Sequence, residues 1–162
     1  MPALHPIGDG HRFELGRRTV TAYHCPIHSK GHMVFVDDLA RVCYGGDSIG
    51  EHIGPANNPT NPPTIVSLEM ELWGINNVIA HIDEFDRIIG GHPMPLYKQV
   101  TMSPDILYRM RDVGEVALAG ELPIFDEDDV GMGKRSYAQQ GNTRLYFFKE
   151  YLRNTNVPEE YK

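Results

Sequence analysis

The hydrophobic pattern of residues 66–91 changes its period halfway along the segment. Residues 66–72 alternate apolar and polar side chains, which predicts a strand with one buried and one solvated face. From residue 78 to residue 89 apolar side chains recur every three or four positions, which predicts an amphipathic helix. Asn76 or Asn77 would cap its start, and Gly90-Gly91 would end it. A strand that leads into a helix through a short turn indicates an α+β or α/β domain.

Shorter patterns elsewhere add several strands and a second, short helix. Two segments, 12–15 and 19–23, flank Gly16 and predict a hairpin. Further strands are predicted at 33–36, 41–44 and 116–124, and residues 137–141 resemble a turn. Residues 144–152 suit either a strand or a helix face, and a strand is the favoured interpretation. Ser103-Pro104 is a typical helix start, so a helix is predicted over 105–111. We therefore predict an α+β fold with a mostly antiparallel sheet and one main amphipathic helix packed on it.

The length of 162 residues suits a single domain that spans residues 1–162. Within it, proline and glycine predict an irregular arm over residues 1–12. Residues 45–63 form a long loop rich in Pro, Gly and Asn, and loops of this length inside a domain are often functional. Residues 154–162 form a polar tail.

The acidic composition narrows the range of partners. Asp and Glu number 22 against 15 Lys and Arg, which gives a net charge of −7. This charge argues against nucleic-acid binding, which needs a basic surface. The sequence contains no apolar run of the roughly 20 residues that span a bilayer and no secretory signal pattern. We therefore expect synthesis in the cytoplasm, neither nucleic-acid nor membrane partners, and two cysteines, Cys25 and Cys43, that are free and buried.

One short segment carries a set of residues that suits a metal ion. His24, Cys25, His28 and His32 lie within nine residues, and imidazole and thiolate are ligands that zinc prefers, while iron also accepts imidazole. The spacing differs from that of structural zinc sites, which take ligand pairs from two separate segments. His24 and Cys25 would point to opposite faces of a strand. The competing interpretation is a loop with polar histidines and a buried cysteine, and further ligands would have to come from residues such as His52, His81 or His92.

Other candidate sites have simpler structural explanations. Asp126–Asp129 could bind Ca²⁺ or Mg²⁺, but the EF-hand pattern is absent and an acidic surface turn explains the run. Glu69 and Glu71 could act as an acid–base pair, but the alternating pattern already places them on the solvated face of the predicted strand. The sequence lacks the glycine-rich nucleotide motifs and the common hydrolase motifs.

Two segments resemble the small tail-terminator and neck proteins of tailed phages. They are NPPTIVSLEMELWGINN with its following helix, over residues 60–92, and the alternating VALAGELPIF, over residues 114–125. The resemblance implies a virion subunit that forms a ring with copies of itself and contacts other virion proteins through its loops.

The sequence therefore supports three hypotheses of function. The main hypothesis is a non-enzymatic structural or interaction subunit of a larger assembly, with no cofactor, which forms a homo-oligomer and contacts other subunits. The alternative is a small metal-dependent enzyme that uses the histidines and cysteine of residues 24–32, with zinc or iron. A third is an acidic inhibitor or immunity-type protein that covers a basic partner.

Overall fold

The computed structural model describes residues 4–55, 65–91, 101–129, 133–157 and 159. Its strands in chain order are β1 (His11–Glu14), β2 (Thr19–His24), β3 (Met33–Asp37), β4 (Val42–Gly46), β5 (His52–Ile53), β6 (Arg87–Gly90), β7 (Thr101–Met102), β8 (Phe125–Asp129), β9 (Gly133–Gln140) and β10 (Thr143–Phe147). The helices are α1 (Leu68–Ile79) and α2 (Asp105–Leu118), with 3₁₀ turns at Ile82–Glu84, Lys149–Tyr151 and Asn154–Asn156.

The strands form two sheets. The larger has six strands in the order β1-β2-β3-β4-β6-β7, and the smaller has four in the order β5-β10-β9-β8. All neighbours are antiparallel except β4 with β6 and β5 with β10, which are parallel. The predicted α+β fold with mostly antiparallel sheets is confirmed. The predicted hairpin and the strands at 33–36 and 41–44 are present, and so is a strand within residues 144–152.

The two helices pack on each other and connect the two sheets. Helix α1 packs on β2 and on α2, and α2 packs on β9 and β10. One cluster of buried apolar side chains includes Val34 and Cys43 from the larger sheet, Ile75 and Met110 from the helices, and Leu145 from the smaller sheet. The two sheets and the two helices therefore share one core. Helix α2 contains the predicted short helix over 105–111 and continues it to Leu118.

The predicted strand at 66–72 is wrong, because this segment forms the first part of α1. Ser67 caps the helix, since its side chain accepts a hydrogen bond of 3.1 Å from the N–H of Met70. The buried face follows helical spacing and consists of Leu68, Glu71, Leu72, Gly74, Ile75 and Val78. Glu71 lies on this buried face, so a pattern that counts it as polar gives a false period of two.

The predicted helix over 78–89 and the predicted strand over 116–124 are also wrong for most of their length. Helix α1 ends at Ile79. Residues Arg87–Gly90 instead form a strand that pairs with β4, which lies more than 40 positions earlier in the sequence. Helix α2 continues to Leu118, and Gly120 follows it with a φ of +78°, a conformation that favours glycine. Residues 137–140 belong to β9 rather than to a turn.

The segments expected to be irregular are partly ordered into strands. Of the 1–12 arm, His11 and Arg12 belong to β1. Of the 45–63 loop, Gly45 and Gly46 end β4 and residues 52–53 form β5, while residues 56–63 lie outside the described residues. No helix in the described ranges is both long enough and apolar enough to cross a membrane.

Candidate functional site

His28 and Asp47 meet at one end of the larger sheet. His28 lies in the β2–β3 loop, and Asp47 follows β4 directly. The Nε2 atom of His28 is 3.9 Å from Oδ2 of Asp47, and each side chain is about one third exposed (34% and 32%). The backbone N–H of His28 donates to Oγ of Ser48, and this hydroxyl donates to the carbonyl of Cys25. These bonds tie the β2–β3 loop to the segment that carries Asp47.

Two glycines allow the backbone to approach Asp47 closely. The N–H of Gly91 donates to the carbonyl of Gly46 over 2.8 Å, and a Cβ at Gly91 would overlap Oδ1 of Asp47. Gly46 has a φ of +53°, and a Cβ there would lie 2.8 Å from Nε2 of His32. Only glycine fits both positions without displacing a side chain of the site.

His32 lies behind this pair. Its ring and that of His28 are 6.2 Å apart between centroids, at 75°. Burial and the charge of His28 lower the pKa of His32, against the opposing effects of the Gly45 carbonyl and Asp47. Nε2 of His32 is buried and has no hydrogen-bond partner among the described residues. His32 is therefore a neutral imidazole at neutral pH, with one ring nitrogen that the described residues leave unsatisfied.

The structure separates His24 and Cys25 from His28 and His32. Nε2 of His24 bonds with the carbonyl of Lys30, and its ring contacts Trp73 edge-on. Cys25 is fully buried in the core, and burial raises the pKa of its thiol far above the usual range. The four-residue metal site expected from the sequence stays a prediction, and only its two later histidines lie near Asp47.

The remaining histidines named from the sequence have other positions. The ring of His81 stacks on Tyr23 at 3.8 Å, and its Nδ1 is 2.9 Å from Glu84. His52 lies on β5, where it pairs with Arg144 in parallel register. His92 lies outside the described residues. Within the described ranges, no three His, Cys, Asp or Glu side chains converge closely enough to hold a metal ion.

A cavity of about 450 Å³ opens beside His28 and Asp47. Its wall follows residues 46–47 and 49–55, which run from the end of the larger sheet to the first strand of the smaller one. We call residues 47–55 the bridging segment. The rest of the lining comes from β6 and β7 and from the smaller sheet: Gly90, Gly91, Met102, Arg135, Asn142 and Tyr146. The described part of the loop that the sequence marked as functional therefore lines the cavity.

On the smaller sheet, Arg135 and Tyr146 line the cavity and belong to a cluster of charged and aromatic side chains. The guanidinium of Arg135 lies 4.0 Å above the ring of Tyr146, and that of Arg144 lies 4.1 Å from the ring of Tyr137. Both arginines donate to the carboxylate of Glu127, as does the hydroxyl of Tyr146. Burial opposes the effect, but these hydrogen bonds and charges lower the pKa of Glu127.

The acidic run 126–129 takes part in this arrangement and is not a turn. It forms β8, in which Asp126 accepts hydrogen bonds from Ser136 and from Lys149. Asp126 and Glu127 are thus matched to basic and hydroxyl partners on neighbouring elements. Of the other carboxylates named from the sequence, Glu69 is partly exposed beside Arg153, whereas Glu71 is fully buried.

Sequence reasoning missed Asp47, Arg135 and Tyr146. Asp47 has a local pattern that would have marked it, since it directly follows a predicted strand and two glycines, where backbones approach closely. Arg135 and Tyr146 have none, because β9 and β10 bring them to the cavity only through tertiary packing.

No family model matches this chain, and no curated protein matches it either. Among solved structures, it is similar to a metallo-beta-lactamase family protein from Thermus thermophilus, with 15% identity and a TM-score of 0.50. The match covers 71% of this chain and 36% of that one, so the chain spans about a third of that protein.

Two further solved structures share the same family name. An archaeal metallo-beta-lactamase superfamily protein from Sulfolobus tokodaii has 20% identity, covers 77% of this chain and 43% of that one, and has a TM-score of 0.48. A metallo-beta-lactamase from Pseudomonas aeruginosa in its mono-zinc form has 17% identity and a TM-score of 0.48, and the match covers 72% of this chain and 48% of that one. At these identities the likeness concerns the fold.

The likeness in fold to the Thermus thermophilus protein corrects the resemblance to phage tail-terminator and neck proteins, which is wrong. It depended on a strand at residues 66–72 and another at 116–124, but residues 68–72 are helical and the second segment forms the end of α2 and an irregular connection. The main hypothesis of a non-enzymatic subunit, with its virion location, is overturned by the same structural likeness.

Proposed function

We propose that this chain contributes the metal-binding edge and the substrate cavity of a metal-dependent hydrolase. The observation that carries the proposal is the approach of His28 Nε2 to Asp47 Oδ2, which are 3.9 Å apart in the lining of a cavity. Two ligands of one tetrahedral zinc ion lie roughly 3.3 Å apart at the usual bond lengths, so a small movement would let both bind one ion. The likeness to a metallo-beta-lactamase family protein supports the same conclusion.

The chemistry of the available donors suits this role. Imidazole nitrogen and carboxylate oxygen are zinc ligands, and the buried Nε2 of His32 is a further donor atom beside them. The described residues supply an incomplete set, so the remaining ligands would come from outside them. His92 directly follows Gly91 in the sequence and is the first candidate. A bound zinc ion would activate a water molecule and polarise the scissile carbonyl or phosphoryl group.

The chain's own residues would prepare the site for this chemistry. Gly46 and Gly91 fix the backbone around Asp47, and Ser48 fixes the His28 backbone through its hydroxyl. The apolar side chains of the bridging segment would exclude bulk water from the cavity.

Metal binding to variants tests the proposal. We expect the purified chain to bind zinc, and His28→Ala and Asp47→Asn each to weaken binding at least tenfold, as loss of one ligand removes a direct bond. Titration calorimetry and elemental analysis measure the affinity and the stoichiometry. Hydrolysis of p-nitrophenyl esters with added zinc measures the activity.

His24→Ala is the matched control, because His24 bonds to the Lys30 carbonyl outside the cavity. We expect it to bind zinc as the parent does. Equal zinc binding by the parent and Asp47→Asn would contradict the proposal. Loss of zinc in His24→Ala with retention in Asp47→Asn would favour the four-residue site expected from the sequence.

The expected homo-oligomer also stays a proposal. Leu15 (61% exposed) and Tyr44 (42%) are large apolar side chains on or beside the six-stranded sheet. Sedimentation velocity across a range of concentrations would detect association, and a monomer throughout would contradict it.

A further inference from the structure

The two ends of the cavity differ in charge. His28 and Asp47 belong to the larger-sheet end of the lining, and Arg135, Tyr146 and Asn142 belong to its smaller-sheet end. The rest of the lining includes the apolar side chains of Ile49, Ile53, Pro55 and Met102 and several glycines. A cavity of about 450 Å³ with this distribution suits a small ligand that has an apolar body and one polar end.

The guanidinium of Arg135 is held in a fixed orientation at its end. Its side chain is only 16% exposed, and Nη2 donates to Oε1 of Glu127 over 2.9 Å. The ring of Tyr146 lies beneath it, and the hydroxyl of that ring is held in turn by Arg144 and Glu127. A guanidinium keeps its charge at every ordinary pH, and its planar array of donors matches carboxylate and phosphate oxygens.

The other ionisable groups of the lining favour an anion at Arg135 over one at the opposite end. The carboxylate of Glu51 accepts hydrogen bonds from Arg109 and Thr143, which compensate its charge. Burial and the charge of Arg144 lower the pKa of His52, against the effects of Glu51 and the Asn142 backbone, so His52 is neutral. Asp47, at the far end, would repel an anion in the absence of metal.

We propose that the Arg135 end of the cavity binds a carboxylate or phosphate group of the substrate. The apolar part of the substrate would then lie along Ile49, Ile53 and Met102, and the bond to be hydrolysed would lie near His28 and Asp47. This substrate class rests on the proposed function, whereas the binding of the anion itself does not require a metal.

Calorimetry on the full chain in EDTA, with simple amphiphiles as probes, tests the proposal. The probes are acetate, hexanoate, inorganic phosphate, hexyl phosphate and hexanol. We expect hexanoate or hexyl phosphate to bind, acetate and inorganic phosphate to bind far more weakly, and hexanol to bind weakly. Burial of each methylene strengthens binding by up to about fourfold. The relative affinity of hexanoate and hexyl phosphate identifies which anion the site prefers.

Variants then locate the anion. Arg135→Met should weaken binding of the preferred anion at least tenfold and leave hexanol unchanged. Arg111→Met is the matched control, since Arg111 also lies over a tyrosine ring, 5.2 Å from that of Tyr108, but does not line the cavity. Circular dichroism checks the fold of each variant. If Arg135→Met unfolds, Arg135→Lys takes its place in the test; because it keeps the charge, it should retain part of the affinity for the anion.

Several results would overturn the proposal. Equal anion binding by Arg135→Met and Arg111→Met, or hexanol binding as tight as hexanoate, would do so. Asp47→Asn should bind the anion as well as the parent or better. Loss of anion binding in this variant would place the anion beside Asp47 instead of beside Arg135. The anion titration contains no metal, so its result is independent of the zinc titration. Either the zinc site or the anion site can therefore be disproved while the other is supported.

Discussion

Glu71 is a carboxyl group buried in the core without a partner among the residues that the structure describes. It is 0% exposed on the inner face of α1, and neither of its oxygens has a hydrogen-bond partner among the described residues. Burial raises the pKa of Glu71 well above its usual range. The thiols of Cys25 and Cys43 are buried in the same core, where burial raises the pKa of Cys43 to about 12. This part of the core therefore contains acids in their neutral form.

We predict that Glu71 makes the fold less stable as the pH rises. In the unfolded chain a glutamate ionises above about pH 4.3, whereas in the folded chain Glu71 stays protonated to a higher pH. Its contribution is fully present below pH 4.3 and is lost as the pH rises through its raised folded pKa. Glu71→Met should remove this dependence and raise the free energy of unfolding at pH 8 by about 1–3 kcal/mol.

Urea unfolding at a series of pH values measures this effect as the difference between parent and variant. Glu69→Met is the control, because Glu69 is partly exposed on the same helix beside Arg153. It should change stability only slightly, with no comparable change of slope. A parent and a Glu71→Met variant with parallel pH profiles would show that Glu71 is ionised in the folded state.

At the scale of elements, the parallel pairing of β4 with β6 positions Asp47, the proposed zinc ligand. It brings Gly91 against Asp47, where a methyl group would overlap the carboxylate. We predict that Gly91→Ala displaces Asp47, weakens zinc binding at least tenfold and costs about 1–3 kcal/mol of stability. Zinc calorimetry and thermal unfolding measure the two effects.

Gly31→Ala provides the comparison for that variant. A Cβ at Gly31 meets no atom within 4 Å, and its φ is not positive. It should leave zinc affinity unchanged and alter stability by less than about 1 kcal/mol, with stabilisation the expected sign. If Gly91→Ala binds zinc like Gly31→Ala, Asp47 is either free to move or not a ligand.

The elements show which parts of the fold local sequence can predict. The β1–β2 hairpin and the strands β3 and β4 follow from alternation and turn residues alone, since each pairs with its neighbour in sequence. Residues 87–90 do not, because their apolar side chains suit a helix and only the pairing with β4 makes them a strand. Helix α1 was missed because of one residue, Glu71, on its buried face.

At the scale of the whole molecule, the cavity exists because two sheets meet. His28 was predictable as a chemically active residue, since it lies among other histidines in a loop. Asp47 and Arg135 are 88 positions apart in the sequence, and their relation depends on the packing of both sheets on α1 and α2. A single sequence contains no local pattern for such a pairing, so the cavity and its charged ends required the structure.

Glu51 holds the bridging segment on the smaller sheet. Its carbonyl accepts a hydrogen bond from the N–H of Arg144, and its carboxylate accepts from Arg109 on α2 and from Thr143. Thr143 is 1% exposed, so its hydroxyl has little access to water. One residue thus connects the bridging segment to a helix and to a strand.

We predict that Glu51→Ala loosens the connection between the sheets without unfolding either. Loss of the carboxylate leaves the Thr143 hydroxyl unsatisfied and should cost about 1–3 kcal/mol. Hydrogen exchange should accelerate at the Arg144 amide more than at the amides of β2 and β3, because the opening is local. Glu115→Ala is the control, since Glu115 forms only an exposed pair with Arg111, 3.9 Å away on α2. A uniform increase in exchange across both sheets would contradict a local connection and would show that Glu51 supports the entire fold.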